Sequence, residues 1–339
     1  MDTGDDRLLG FLSGLIIHDL KQQQLADLFE YAQQSKEAYA MVQDMPKVEA
    51  EMHVNISSPS WVVIYFGDWG SLSWHFHQKR NPQRFVMEDK DKEQIVVKMD
   101  TPGGSTELVF AKTQANSYGY GSNAVEYIVP FIQHINTLFN PYVAYLKISP
   151  SNFHQLSAIQ SVDALRKSLH VTIEEGPASH EDMRRILEGF ETDSLEIHCS
   201  PGSKFTYDSP ISLSYMKTQI GTWFKGPMLL NLVNCEDAYL DIGGITEEHV
   251  NRFLREWLNS TTGCGTMKSL LLNSGLQHCE LDERSWCMEK MVQGLTSFEL
   301  PSPTNSSLDM RRLCRKIDGA VIDVHCYDYL GFCMTQEML

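Results

Sequence analysis

His75 and His77 alternate with Trp74 and Phe76, and on a strand the two imidazoles would face one side, as two ligands of one metal ion must. No third ligand stands beside them, so a solvent-facing pair on a half-buried strand is expected. His278-Cys279 with Cys287, and His325-Cys326 with Cys333, are the remaining His/Cys groupings. Their spacing is too loose for a zinc knuckle, and no CxxC pair occurs. Tyr118-Gly119-Tyr120-Gly121-Ser122 is glycine-rich but lacks the lysine and the strand–loop–helix setting that cradle a phosphate, so it reads as a loop. Gly263-Cys264-Gly265 has no Arg, Lys or His beside the thiol to lower its pKa, and it reads as a structural turn. GxSxG, GxxxxGK[ST], HExxH and a GxGxxG following a strand are all missing. No catalytic residue, metal ligand or cofactor is therefore assigned, and Trp223, Trp257 and Trp286 are read as packing residues.

The formal net charge of −16 argues against nucleic acid, where affinity is built from Lys and Arg on phosphates, and against anionic membrane surfaces. The eight cysteines are sparse for a chain of 339 residues, which is large enough to bury a core without disulfide staples, so reduced thiols are expected. The apolar run from Leu8 to Ile17 is too short to span a bilayer and follows Asp5 and Asp6 rather than a basic segment. A cytosolic or nuclear location is the expectation.

The elements that must position any surface follow from the apolar period. Leu8, Leu9, Leu12, Leu15 and Ile16, then Leu20, Leu25, Leu28, Phe29 and Ala32, fall at helical spacing, predicting two or three short helices over residues 1–45. From Met52 the period becomes two, and residues 46–122 read as an antiparallel meander of five or six strands with one side needing a cover. Strands are expected at Val54–Ile56, Val62–Phe66, Leu72–Phe76, Phe85–Met87, Ile95–Met99 and Leu108–Ala111. A helix follows over 123–139, kinked by Pro130 or beginning there.

Residues 123–339 then alternate strands with capped helices. Strands are expected at Val143–Ile148, Leu169–Ile173, Ser194–His198, Leu229–Val233, Ala238–Ile242 and Met267–Leu272. Ser179 with Asp182 caps one helix, and Thr246, ahead of Glu247 and Glu248, caps another. The strand-to-strand spacing suits irregular leucine-rich-repeat-like β-α units, with ordinary α/β layering as the alternative. Asp318-Gly319 supplies the turn of a C-terminal β hairpin. The fold class is thus α+β / α/β.

Particular stretches add a resemblance. Leu229 to Leu272 carries a strand ending in Cys235, a second strand, a helix with Asn251, Phe253, Leu254 and Trp257, and the leucine-rich strand Leu270–Leu272. Arg315-Lys316-Ile317-Asp318-Gly319-Ala320-Val321-Ile322 forms a distinctive hairpin sequence, and Tyr127-Ile128, Leu138-Phe139 and Val143–Ile148 form a helix followed by a strand. These stretches resemble the nematode F-box family with a type 2 F-box-associated domain over most of residues 50–339. Leu28-Phe29 and Ser35-Lys36 are similar to late positions of the family's F-box, whose Leu-Pro opening is absent here, so residues 1–45 resemble a degenerate F-box.

The resemblance implies a substrate-recognition subunit of a Skp/cullin/F-box ubiquitin ligase. Leu8, Leu9, Leu12, Leu15, Ile16, Leu20, Leu25 and Leu28 would then face a Skp-type adaptor protein, and the β-α region would face an unidentified target protein. Asn251, Phe253, Leu254, Trp257, Asp318 and Gly319 would be the structural residues of the domain. No residue would transfer ubiquitin. The alternative is an F-box-derived binding protein that has lost the adaptor contact and acts by partner binding alone, its N-terminal leucines packed on its own strands. An enzyme with a site the sequence does not reveal is the remaining class, and a deep polar pocket with converging titratable groups would mark it.

Overall fold

A computed structural model describes residues 22–45, 49–67, 71–78, 94–101, 104–112, 116–121, 124–219, 223–241, 245–273, 286–300, 309–327 and 331–336. The chain divides into two compact units, Met1–Ser168 and Leu169–Leu339. The expected strand at Phe85–Met87 lies outside the described residues.

In the first unit, α1 (Gln22–Ala32) and α2 (Lys36–Asp44) precede the strands, and Ser35 Oγ caps α2 by accepting the Ala38 N–H at 3.0 Å. The strands are β1 (Glu51–Ile56), β2 (Ser60–Tyr65), β3 (Ser71–Gln78), β4 (Gln94–Thr101), β5 (Gly104–Lys112) and β6 (Asn116–Gly121). Helix α3 (Ala124–Phe139) leads to β7 (Tyr142–Ile148), and a short 3-10 turn, α4 (Leu156–Ser161) and α5 (Asp163–Arg166) close the unit. The spatial order is β7-β1-β2-β3-β6-β5-β4. This departs from a simple meander: β6 pairs parallel with β3, and β7 pairs parallel with β1. Tyr118 to Gly121, expected as a loop, form part of β6, because the place between β3 and β5 provides pairing on both sides. Pro130 lies inside α3 rather than at its start.

One side of this sheet is covered. Met52, Val54, Ile56, Val62, Ile64, Leu72, Trp74 and Phe76 are buried with Ile128, Phe131, Ile132 and Ile135 of α3. Phe29 of α1 joins them, its ring 5.1 Å from Trp74 and edge-on to Phe131 at 6.5 Å.

The second unit opens with β8 (His170–Pro177), α6 (His180–Gly189) and β9 (Ser194–Ser200). It continues with β10 (Ile211–Ser212), β11 (Tyr215–Thr218), β12 (Leu232–Val233), β13 (Asp237–Asp241), α7 (Glu247–Asn259) and β14 (Ser269–Asn273). Helix α8 (Met288–Met291) precedes β15 (Ser297–Glu299), β16 (Asp309–Cys314), β17 (Val321–Tyr327) and β18 (Gly331–Gln336). The strands β8, β9, β11, β13 and β14 lie side by side in chain order, all parallel. The order then reverses through β18, β17, β16 and β15, all antiparallel.

Both caps form as capping boxes: Ser179 with Asp182 on α6, and Thr246 with His249 on α7. Two local expectations differ. Leu229 to Asn231 lie in a 3-10 turn begun by Gly226-Pro227, where proline's fixed φ suits a first turn, and only Leu232–Val233 are extended. Tyr215–Thr218, too short to stand out by alternation, forms β11 between β9 and β13. Among the described residues, no helix is long and apolar enough to cross a membrane.

Candidate interaction surface

The expected structural residues of the second unit meet at one buried charge. Trp257 is fully buried on α7, and its Nε1 donates to the Met267 carbonyl at 2.9 Å. The Arg315 guanidinium lies over the Trp257 ring, 4.4 Å from its centroid. Arg315 is 6 % exposed and uses its whole fork. Nε and Nη2 donate to the two oxygens of Asp318 at 2.9 and 2.7 Å, while Nη1 donates to the carbonyls of Gly265 at 2.7 Å and Ser260 at 2.9 Å. The cation therefore sits where α7 ends and its last carbonyls need donors. This pairing holds the Asp318 carboxyl down to about 2, with the Ala320 N–H also donating to it. Gly319 turns the chain at φ +77°, a conformation that favours glycine.

Asn251 ties the same helix to the chain after α8. Its Nδ2 donates to the Met291 carbonyl at 2.7 Å, and Arg255 Nε donates back to its Oδ1 at 2.8 Å. Phe253 and Leu254 are fully buried beside them. Phe253, Leu254 and Trp257 are thus buried on α7, Arg315 joins Trp257 to the exposed Asp318-Gly319 turn, and the half-buried Asn251 ties the same helix to the chain after α8. Arg315, which joins Trp257 to Asp318, was missed among the expected site residues. Its sequence signal is an arginine three positions before the Asp-Gly turn.

Of the expected adaptor-facing residues, Leu8, Leu9, Leu12, Leu15, Ile16 and Leu20 lie outside the described residues, and Leu25 is on α1 with its side chain likewise outside them. Leu28 is buried, as is the adjacent Phe29.

No metal-ligating group of three or more His, Cys, Asp or Glu is found among the described residues. His325 and Cys333 are cross-strand neighbours, but Cys326, adjacent to His325 on the strand, points to the other side and is buried. Burial pushes the Cys199 and Cys235 thiols up to about 12, which makes them inert packing groups.

The surface that remains open is the other side of the parallel sheet. Leu195, Ile197, Met216, Ala238, Leu240, Leu270 and Leu272 are buried on the side that α6 and α7 cover, with Cys199 against Met183 at 3.8 Å. The alternate positions carry His170, Ser194, Glu196, His198, Tyr215, Lys217, Asp237, Tyr239 and Asp241. Much of this row is tied together. His198 contacts Gln219 at 2.6 Å and Glu196 at 3.3 Å, and Lys217 lies 3.6 Å from Glu196. His170 sits between Ser194 and Thr172, and burial lowers its pKa, keeping it neutral.

The centre of the row is different. Tyr215 and Tyr239 lie with rings 5.9 Å apart, Tyr239 is 41 % exposed, and Asp237 is the register partner of Tyr215. Among the described residues, Asp237's carboxylate has no hydrogen bond or ion pair. The Tyr215 hydroxyl is shifted upward by partial burial and then by the nearby carboxylates of Glu196 and Asp237.

The first unit has a comparable open side, where His53 stacks near Tyr65 at 4.9 Å and Tyr145 at 5.9 Å. There, however, Glu51 is engaged, receiving the Tyr142 hydroxyl at 3.2 Å and contacting His53.

The chain is similar to the Skn-1 dependent zygotic transcript 15 protein of Caenorhabditis elegans, with 19% identity over 291 residues, covering 79% of this chain and 77% of that protein. No family model matches the chain, and no solved structure matches it. A mixed α/β protein with a distant nematode relative, carrying open strand faces, is the conclusion these observations support.

Proposed function

We propose that this protein is a protein-interaction module whose open strand face in residues 169–339 receives a partner protein. The observation that carries this reading is the row of polar and aromatic side chains opposite the helix-covered side, with Tyr239 exposed and the Asp237 carboxylate without a hydrogen bond or ion pair among the described residues. Tyrosine supplies large contact area at low entropic cost, and it is enriched where proteins meet. The parallel strands in chain order support the leucine-rich-repeat-like reading, in which such a row is the recognition side. Joined to the F-box resemblance, the role is that of substrate-recognition subunit of a Skp/cullin/F-box ubiquitin ligase. The chain would hold its target near a charged ubiquitin-carrying enzyme, and the rate gain would come from proximity.

A second reading has its own observation. Leu28 and Phe29 are buried against the protein itself, and Phe29 sits in the aromatic cluster of Trp74 and Phe131. That use of α1 favours an F-box-derived binding protein without an adaptor. Co-purification with a nematode Skp adaptor separates the two, with a Leu9→Asp, Leu12→Asp variant as control and circular dichroism verifying the fold. Binding by wild type and not by the folded variant supports the ligase subunit. A folded wild type that fails to bind at about micromolar concentration leaves the stand-alone binding protein.

A further inference from the structure

The open face in residues 169–339 carries a charge imbalance as well as an aromatic pair. Glu196 on β9 and Asp237 and Asp241 on β13 flank β11, whose Lys217 is paired with Glu196, while Lys268, ahead of β14, is paired with Glu236 and lies close enough to Asp237 to feel its charge. His170 is kept neutral by burial. Asp241 accepts from Asn273 Nδ2 at 3.1 Å. Among the described residues the Asp237 carboxylate has no hydrogen bond or close ion pair, and it lies beside Tyr215, whose ring is tilted 43° to that of Tyr239. Two phenol faces with an unpaired carboxylate alongside are the groups that hold a cationic side chain, the ring quadrupole and the carboxylate acting on the same charge. A flat guanidinium suits this arrangement better than an ammonium, because it can stack on a ring while its edge donates to the carboxylate. The chain's net charge of −16 adds attraction at longer range.

We propose that the Tyr215–Tyr239–Asp237 cluster is an anchor for an arginine side chain of a basic peptide segment in the partner protein. This deepens the reading of the same face given above and rests on it. The partner segment would place its arginine over Tyr239, with the guanidinium edge toward Asp237.

The test is fluorescence polarisation with a fluorescein-labelled nonapeptide of alternating arginine and serine, and with its glutamate counterpart, at physiological salt. Asp237→Asn and Tyr239→Ala are compared with Glu248→Gln, which removes an equal charge from the exposed surface of α7. The expected result is binding of the arginine peptide alone, weakened at least about tenfold by either face variant and less than about twofold by Glu248→Gln. No binding by folded wild type overturns the proposal, and so does equal weakening by Glu248→Gln, which would mean unspecific attraction. The adaptor result does not depend on these side chains, so failure here removes the arginine anchor and leaves the adaptor question to its own experiment.

Discussion

The two faces of the parallel sheet in residues 169–339 are made by the same strands and finished in opposite ways. Toward α6 and α7, the alternate residues are buried and, Thr218 apart, apolar, and the buried guanidinium of Arg315 spends its donors on Asp318 and on the carbonyls of Ser260 and Gly265, just past α7. Thr218 Oγ1 and Trp223 Nε1 are buried polar atoms without partners among the described residues. On the open face, by contrast, partly exposed tyrosines and an unpaired carboxylate remain in contact with water. Polar groups left unpaired in the interior cost free energy, whereas at the surface they cost little until a partner arrives. The difference teaches that stability and recognition are assigned to opposite sides of one sheet.

The largest expected effect comes from breaking the covered side. Trp257→Ala removes a fully buried ring, the bond to Met267 and the surface under Arg315, and should cost about 3–5 kcal/mol in chemical denaturation. Arg315→Ala should cost about 3 kcal/mol or more, because the Gly265 and Ser260 carbonyls and Asp318 lose their shared donor. Arg315→Lys should recover only part of this, since an ammonium cannot reproduce the fork. Gly265→Ala should also destabilise, as a Cβ there would meet the Ser260 carbonyl.

The contrast can be sharpened in the first unit, where a buried group is neutral rather than paired. Among the described residues, His134 Nε2 has no hydrogen-bond partner, and burial lowers its pKa to about 4 from the ordinary 6.5. Its ring lies 5.2 Å from that of Tyr39 on α2 and 6.4 Å from that of Phe29 on α1. The unfolded chain takes up the proton first, so this site gives no penalty above pH 6.5 and a growing one as pH falls toward 4. Unfolding free energies from urea denaturation at pH 7 and pH 5 should differ by about 2 kcal/mol through this group, a contribution that His134→Leu should abolish. Asp318 works in a lower window: its stabilising charge is present above its ordinary value of 3.8 and is lost as pH falls through about 2. The smallest expected stability effects are on the open face, where Tyr239→Ala and Asp237→Asn should each stay within about 0.5 kcal/mol of wild type.

Much of this division was legible in the sequence. The capped helices were marked by Ser179 and Thr246, and the stripe Val250, Phe253, Leu254 and Trp257 is the buried side of α7. Local signals of this kind depend on residues a turn apart. What depends on distant pairing was less visible. The parallel place of β6 beside β3 and the insertion of β11 between β9 and β13 follow from register partners far away in the chain. The open face was hidden for the same reason: Glu196, Tyr215 and Asp237 become neighbours only when their strands align. Arg315 stood in view beside Asp318, but its carbonyl partners lie some fifty residues earlier, with separations of 50 and 55.

The most direct test is the stability of the doubly substituted Tyr239→Ala, Asp237→Asn protein, measured by chemical denaturation against wild type. An unchanged free energy, within about 0.5 kcal/mol, is the predicted result, because a recognition face contributes little to the fold. A loss of about 2 kcal/mol or more would contradict the account, since it would mean that these side chains hold the sheet together rather than wait for a partner.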